Sequence, residues 1–589
     1  MFRHHTISLA ALSLALAGCA TQTPHTETAL ASEPAASSQA ELDAIFAAYA
    51  ALDTQNDPIT AAAYGDTQAL ARMPSVSPET RAAQKSALED IRAQLDALPT
   101  DAPDATNRKL LSDLIDQQLT SIAFDEDRLP FTNDWGPHSL LFYAIADTPV
   151  RNSDEAALLV QRLEAAPAYI RENTANMRRG IETGFVGSRS TTQIIIADME
   201  KADYSRLTAP FADADPQIKA RAETAAAETR TALEEAITFL KSDYLPATHE
   251  LSAARDQPDG EAWYRFRVAT ETGSDLTPDE IHAIGLEEVA RIRARMEAII
   301  EEVEFEGSFA DFLAFLRTDP QFYAGTPEEL LEKASEMAKR ADGFLPQMFE
   351  TLPRLPYTVK PVPDEIAPTY TTGRYYTGSQ HQGRAGIYYV NTYDLGARPL
   401  YELPALTLHE AVPGHHLQIA LAQELDNQPD FRRNLMTTAF VEGWGLYAES
   451  LGEDADFYRT PYERFGRLSY EMWRACRLVA DTGLHWKGWS VEQARTCFTD
   501  NSALSEHNIE TELQRYVSWP AQALAYKIGE IEFHRLRTKA ETALGEDFNI
   551  RTFHDVLLQQ GGIPFNVVEA NLDAWISEQT ADEIPANED

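Results

Sequence analysis

The densest run of chemically capable residues in the chain is Leu408-His409-Glu410-Ala411-Val412-Pro413-Gly414-His415-His416-Leu417. Zinc peptidases hold a cation with two imidazoles on one helix face and take a general base from the glutamate beside the first. Their usual spacing puts the second histidine four residues after the first, and here that position is Pro413. The next histidines come six and seven residues on, at His415 and His416. On an unbroken helix a seven-residue step returns to the same face about 10.5 Å along the axis, too far for two imidazoles to share one ion at about 2.1 Å each. Pro413 breaks the backbone ladder and Gly414 tolerates unusual dihedrals, so a bulge there can bring a second imidazole back. His409 and His415 are therefore the expected ligands, with His416 as the alternative ligand and Glu410 as the base.

A third protein ligand would leave a tetrahedral cation one open position. Glu442, in Phe440-Val441-Glu442-Gly443-Trp444-Gly445-Leu446-Tyr447-Ala448-Glu449, lies 27 residues beyond His415, which suits a following helix crossing the first. Glu449 fits an acceptor that orients a ligand imidazole; a solvated helix face is its other reading. Gly443 and Gly445 read as sites of close helix packing. Amide hydrolysis also builds an oxyanion that needs a side-chain donor. Tyr526, Tyr516, Arg515 and His507 are the candidates, each equally readable as an ordinary core or structural residue. Asp481 and His485, four apart on a helix, are expected to hydrogen-bond each other. There is no G-x-S-x-G elbow and no phosphate-binding loop.

The elements that must position these residues are mostly helical. Thr277-Pro278-Asp279-Glu280, Thr326-Pro327-Glu328-Glu329 and Ser490 to Gln493 are helix-start signals. A long helix is expected from Asp215 to Tyr244. The segment from Tyr357 to Asp394 differs, being rich in Pro, Gly, Thr and aromatic residues. Tyr370 to Tyr376 and Ile387 to Thr392 read as strands around a Gly-rich turn, the second offering an edge to an extended peptide. Arg374 and Arg384, near that turn, read as solvated loop cations or as contacts for a substrate carboxylate. The division predicted is an N-terminal helical lobe over 41–270, a catalytic lobe over 271–580 and an acidic tail over 581–589.

Three stretches carry a resemblance. H-E-A-V-P-G-H-H-L-Q, E-G-W-G-L-Y-A-E and R-Y-V-S-W-P-A-Q-A-L-A-Y-K-I-G (Arg515 to Gly529) resemble the bacterial domain-of-unknown-function 885 family, over about Gly260 to Ala574. That family is placed among the zincin peptidases, near the gluzincins. The resemblance implies a mostly α, two-lobed, helical zincin-like metallopeptidase fold, with a small antiparallel β-sheet beside the active-site helix. It also implies Zn²⁺ held by His409, His415 and Glu442, with Glu410 as base. Tyr526 resembles the tyrosine found late in helical gluzincins.

The N-terminus reads as an address. Residues 1–18 have a short basic start and an apolar run too short to span a bilayer, which takes roughly 20 residues. They end in Leu16-Ala17-Gly18-Cys19, which resembles a lipobox, with Cys19 as the lipidated residue. Residues 19–40 read as a flexible tether, and Ala20 favours the outer membrane, facing the periplasm. In that oxidising compartment Cys476 and Cys497 would form a disulfide or remain two buried thiols. The chain has 50 Lys+Arg against 92 Asp+Glu, a net charge of −42, which argues against nucleic acid as a partner. With 44% hydrophobic residues it is not a disordered chain. The expected activity is zinc-dependent hydrolysis of short peptides. Hydrolysis of another small amide, or ligand binding without turnover, are the alternatives. The sequence says nothing of oligomeric state.

Overall fold

The computed structural model describes residues 33–581 apart from 101, 365–366, 381–382 and 426–427. The export signal, Cys19, the tether up to residue 32 and the tail from 582 lie outside the described residues. Helix accounts for 72% of the structure, joined by one small sheet. Helices begin where capping chemistry is strongest. Thr277 and Ser490 form reciprocal capping boxes with Glu280 and Gln493. At Thr326 only the hydroxyl half forms, because Glu329 turns back to accept from the Gly325 N–H at 2.8 Å. The long helix expected from Asp215 runs over Pro216–Phe239 and widens into a π turn at Leu240–Tyr244.

Two boundaries differ from expectation. The first helix spans Glu33–Asn56, so the last part of the segment read as a tether is helical. Its Leu42, Ile45 and Tyr49 are buried with Leu88 and Leu110 in the same core as Ile292, Leu408 and Trp444. The packing therefore does not part at residue 270: the first helices bury their apolar stripes in the core of the C-terminal half. A separate core gathers Leu141, Leu163, Phe211 and Phe239.

The sheet is mixed rather than antiparallel, in the order β1 (Tyr357–Pro361), β3 (Gly386–Val390), β2 (Gly373–Tyr376). β2 and β3 are the antiparallel pair, with Tyr375 opposite Tyr388. β1 adds in parallel, Tyr357 opposite Gly386, in a stretch whose apolar alternation is too weak to read as a strand. The edge expected of Ile387–Asn391 is thus covered on both sides, and the outer strands of the sheet are β1 and β2.

Three helices clamp the C-terminal half through buried charge. Pro278–Glu302, Pro461–Thr482 (the arginine helix) and Ala525–Leu544 (the tyrosine helix) meet at Lys527. Its Nζ lies 2.6 Å from Glu530 and 2.9 Å from both Glu471 and Glu288. Arg467 joins Glu471 at 2.9 Å. Burial opposes charge on Lys527, but the carboxylates outweigh it and hold the ammonium above its usual range. Cys476 in the arginine helix is disulfide-bonded to Cys497, across a Cα separation of 5.7 Å, so the thiols are not free.

Asp481 and His485 do not bond each other. The arginine helix widens to a π turn over Gly483–Lys487, so the four-residue step no longer stacks the two side chains. Asp481 accepts from the Tyr264 hydroxyl at 2.6 Å and from the Ala521 N–H at 3.1 Å, fixing the chain just before the tyrosine helix. His485 accepts the Ala254 N–H on Nδ1 and donates from Nε2 to the Tyr516 carbonyl at 2.8 Å.

Lys527→Met removes the cation that buried Glu471 and Glu530 share with half-buried Glu288 and should cost about 3–5 kcal/mol in urea unfolding. Asp481 gives a pH test. Burial pushes its carboxyl up to about 7, against hydrogen bonds that pull it down. The contribution to stability is then complete below the unfolded value of about 4 and is lost as pH rises through about 7. Asp481→Asn should flatten the loss of stability between about pH 4 and pH 8, by roughly a few kcal/mol, in urea titrations at each pH.

Candidate metal centre

The helix carrying His409 and Glu410 spans Leu403–Glu410 and stops there. The chain breaks over Ala411–Gly414 and resumes as a second helix, His415–Gln423, whose first residue is His415. The two inserted residues are thus absorbed by a full break rather than a bulge. Gly414 is obligatory at this point, since a Cβ there would lie 1.9 Å from the His409 carbonyl oxygen. Trp444 holds the break closed by donating its indole N–H to the Pro413 carbonyl at 2.8 Å.

The break turns the two imidazoles toward each other, with ring centroids 4.6 Å apart and planes at 85°. His409 Nε2 lies 3.6 Å and His415 Nε2 3.3 Å from the same Glu442 oxygen. One ligand atom from each of His409, His415 and Glu442 falls within 4.8 Å of the others, so the three could hold a metal. Glu442 arrives on the helix Thr438–Asp454, which can press close because its glycines leave room. A Cβ on Gly445 would sit 2.5 Å from the His409 ring, and one on Gly443 would sit 2.5 Å from the Gly529 Cα. Gly443 therefore serves helix packing as expected, while Gly445 makes space for the imidazole.

The donor set suits a divalent cation. Glu449 is buried, not solvated, and takes His409 Nδ1 at 2.8 Å, leaving Nε2 to face the cluster. Arg474 Nη2 lies 3.5 Å from the same Glu449 oxygen. Burial alone would lower His409, but Glu442 and Glu449 hold its imidazole up to about 9. Burial alone would raise Glu442, yet the two imidazoles keep its carboxyl well below the usual range. Two imidazoles and an ionised carboxylate are the kind of donor set that can hold a divalent cation.

The remaining groups line up around this cluster. Glu410 is held by the outer strand β2, accepting the Tyr375 N–H at 2.7 Å. Tyr526 donates its hydroxyl to the second Glu442 oxygen at 2.9 Å. Arg515 donates to that hydroxyl at 3.0 Å and to Gln522 Oε1 at 2.7 Å. Arg477 stacks over the Tyr526 ring at 4.2 Å and donates to Glu512 at 2.9 Å.

Four expected residues are placed elsewhere. His416 points away from the cluster, between Tyr357 and Tyr375, with Nδ1 3.0 Å from the Tyr375 hydroxyl. Burial pushes its imidazole down to about 4, and as the second residue of the new helix it faces the sheet. Tyr516 is fully buried behind Arg477, donating to Glu512 at 2.8 Å and accepting from Trp473 and Arg477. Its side chain leaves the helix Glu506–Ser518 toward the core, one step round from Arg515. His507 is exposed near the other end of that helix, about 12 Å along the axis from Arg515. Arg384 donates to the Thr377 carbonyl of its own turn at 3.1 Å. Arg474, Arg477, Glu512 and the Tyr375 N–H had no chemical motif to mark them. Only the unusual placing of Arg467, Arg474 and Arg477 among apolar residues on one helix hinted at buried charge.

A mostly helical protein with a buried histidine–glutamate cluster is the class these observations define. The chain belongs to the family described as bacterial protein of unknown function (DUF885), whose pattern it matches over residues 58–572. Among solved structures it is similar to a Colwellia psychrerythraea protein described as a "putative lipoprotein", with 26% identity and a TM-score of 0.85. That match covers 92% of this chain and 99% of the other. A protein of Shewanella oneidensis, described in the same words and as of unknown function, shares the fold at 17% identity and a TM-score of 0.69. Here 90% of this chain and 98% of the other are covered. No curated protein matches the chain. No helix among the described residues is long and apolar enough to cross a membrane.

Replacing His409, His415 or Glu442 by Ala should abolish stoichiometric metal binding, measured by metal analysis after dialysis. Glu449→Gln should retain the metal with affinity lowered about 10–100-fold against a competing chelator. His416→Ala should leave the stoichiometry at the wild-type value.

Proposed function

We propose that the protein is a zinc-dependent hydrolase of peptide bonds, acting on short peptides in the bacterial cell envelope. The observation that carries this reading is the approach of His409, His415 and Glu442 to one point, with Glu410 beside them. When bound at that point, Zn²⁺ would polarise the scissile carbonyl and acidify water.

Glu410 supplies the proton traffic. Its carboxylate, fixed through one oxygen by the Tyr375 N–H, takes a proton from the attacking water with the other and passes it to the departing amine. A binding site without turnover has no use for a base at this position, which favours catalysis over a purely ligand-binding lipoprotein. Tyr526 is the donor for the oxyanion: its hydroxyl is already beside Glu442, and Arg515 steadies it there. The nearby β2 edge suits an extended backbone, which favours peptides over other small amides. The sequence of the first 19 residues and the likeness to a protein described as a lipoprotein support a lipid anchor at Cys19. The outer membrane facing the periplasm is the proposed location.

A peptide-library digest with metal analysis tests the function. Wild type should carry about one zinc and cleave, and Glu410→Gln should keep the zinc and lose about 10²–10⁴ in kcat. Tyr526→Phe should lower kcat by about 10²–10³. Stoichiometric zinc with no cleavage of any peptide would overturn the peptidase reading, and undiminished cleavage by Glu410→Gln would overturn the mechanism.

A further inference from the structure

The N-terminal part of the chain sends one short segment to the candidate site, and that segment touches both of its walls. Asn133 accepts from the Ser518 hydroxyl at 3.2 Å, and its backbone N–H donates to the same oxygen at 3.0 Å. Ser518 ends the helix that carries Arg515, the residue that holds the Tyr526 hydroxyl beside Glu442. On the other side Asp134 Oδ2 lies 3.9 Å from Arg374. Arg374 immediately precedes Tyr375, whose N–H holds Glu410. Asn133 and Asp134 thus bridge the wall bearing the oxyanion donor and the wall bearing the base. The bridge is a tight turn, closed by the Thr132 N–H on the Trp135 carbonyl at 2.8 Å.

The next residue is Trp135, 46% exposed although it is among the largest apolar side chains in the chain. It packs edge to face on Tyr143, itself 41% exposed, with ring centroids 6.3 Å apart. Burial holds the Tyr143 hydroxyl above its usual range, Tyr376 adding to the rise and Arg384 opposing it. Two exposed aromatic rings in contact beside the bridge mark a place where apolar surface is meant to be covered.

We propose that Trp135 and Tyr143 form the specificity subsite of the enzyme, receiving an aromatic side chain of a peptide whose backbone runs along β2. The inference rests on the peptidase reading for its role and on the bridge for its position. Two features select a peptide as occupant. The patch is continuous through Arg374 and Tyr375 with the residue proposed as base, so a ligand seated on it reaches the cluster. Charge points the same way: a chain of net charge −42 is repelled by an anionic bilayer, which disfavours a membrane as the occupant.

The experiment measures binding first, so that it does not depend on turnover. Fluorescein-labelled pentapeptides, identical except for Phe or Ala at one position in turn, are titrated by anisotropy against the full-length zinc-loaded Glu410→Gln protein. The Phe peptide should bind about tenfold more tightly than its Ala partner at one position, the gain expected from covering one large side chain. In the Trp135→Ala background that ratio should fall to near one, and in Trp135→Phe it should return to most of its value. Metal content and melting temperature equal to wild type exclude a folding defect in either variant. A Phe-to-Ala ratio that survives Trp135→Ala overturns the subsite. So does the absence of any such preference together with Trp135-dependent binding to phosphatidylethanolamine–phosphatidylglycerol vesicles, which would make the rim a membrane contact. If discrimination is present but wild type cleaves none of these peptides, the subsite stands and the peptidase reading falls.

Discussion

Everything in the candidate centre depends on the four-residue break between two short helices. An unbroken helix would carry His415 far up its own axis from His409. The break at Ala411–Gly414 lets the second helix restart with its first imidazole facing the last turn of the first. The break is stable because its polar and steric demands are met locally. Gly414 passes where no Cβ could, and the Trp444 indole satisfies the Pro413 carbonyl inside the core. Trp444 lies two residues after Glu442, so the helix that delivers the third candidate ligand also locks the geometry of the other two.

Around this centre the protein keeps its charges buried and paired. His409 leans on Glu449, Glu449 on Arg474, and on the far side Glu442 is met by Tyr526, Tyr526 by Arg515 and Arg515 by Gln522. Arg477 and Glu512 brace that second chain from behind. Such groups are costly to bury singly and hold one another in a narrow range of positions when paired. The arginine helix supplies Arg474 and Arg477 to the two chains, and its Asp481 fixes Ala521 ahead of the tyrosine helix. The same helix contributes Glu471 to the cluster at Lys527, so its placement governs both the centre and the packing that surrounds it.

Several features were legible from residue type and spacing. The helix starts at Thr277 and Ser490 follow from local capping chemistry, which needs no distant partner. Glu449 was readable as an imidazole acceptor because one seven-residue step keeps it on the face of Glu442. The ambiguity between His415 and His416 was not resolvable in one dimension. Adjacent residues at a helix start face different ways, and only the restart of the helix at His415 decides which imidazole meets His409. Tyr516 and His507 read as candidates for proximity in sequence to Arg515, yet rotation around one helix and distance along it separate all three.

The sequence by itself determined the chemistry on offer: a histidine–glutamate motif, a downstream glutamate, a proline–glycine interruption and an export-like start. These are statements about residue type and local backbone freedom, which are set within a few positions along the chain. Tertiary structure alone decided that β1 joins the sheet in parallel and that β2, the outer strand on the other side, holds Glu410. It alone brought Asn133 and Asp134 across from the other half of the molecule to touch both walls of the site. Contacts between residues hundreds of positions apart depend on how helices pack, and no local periodicity encodes that packing.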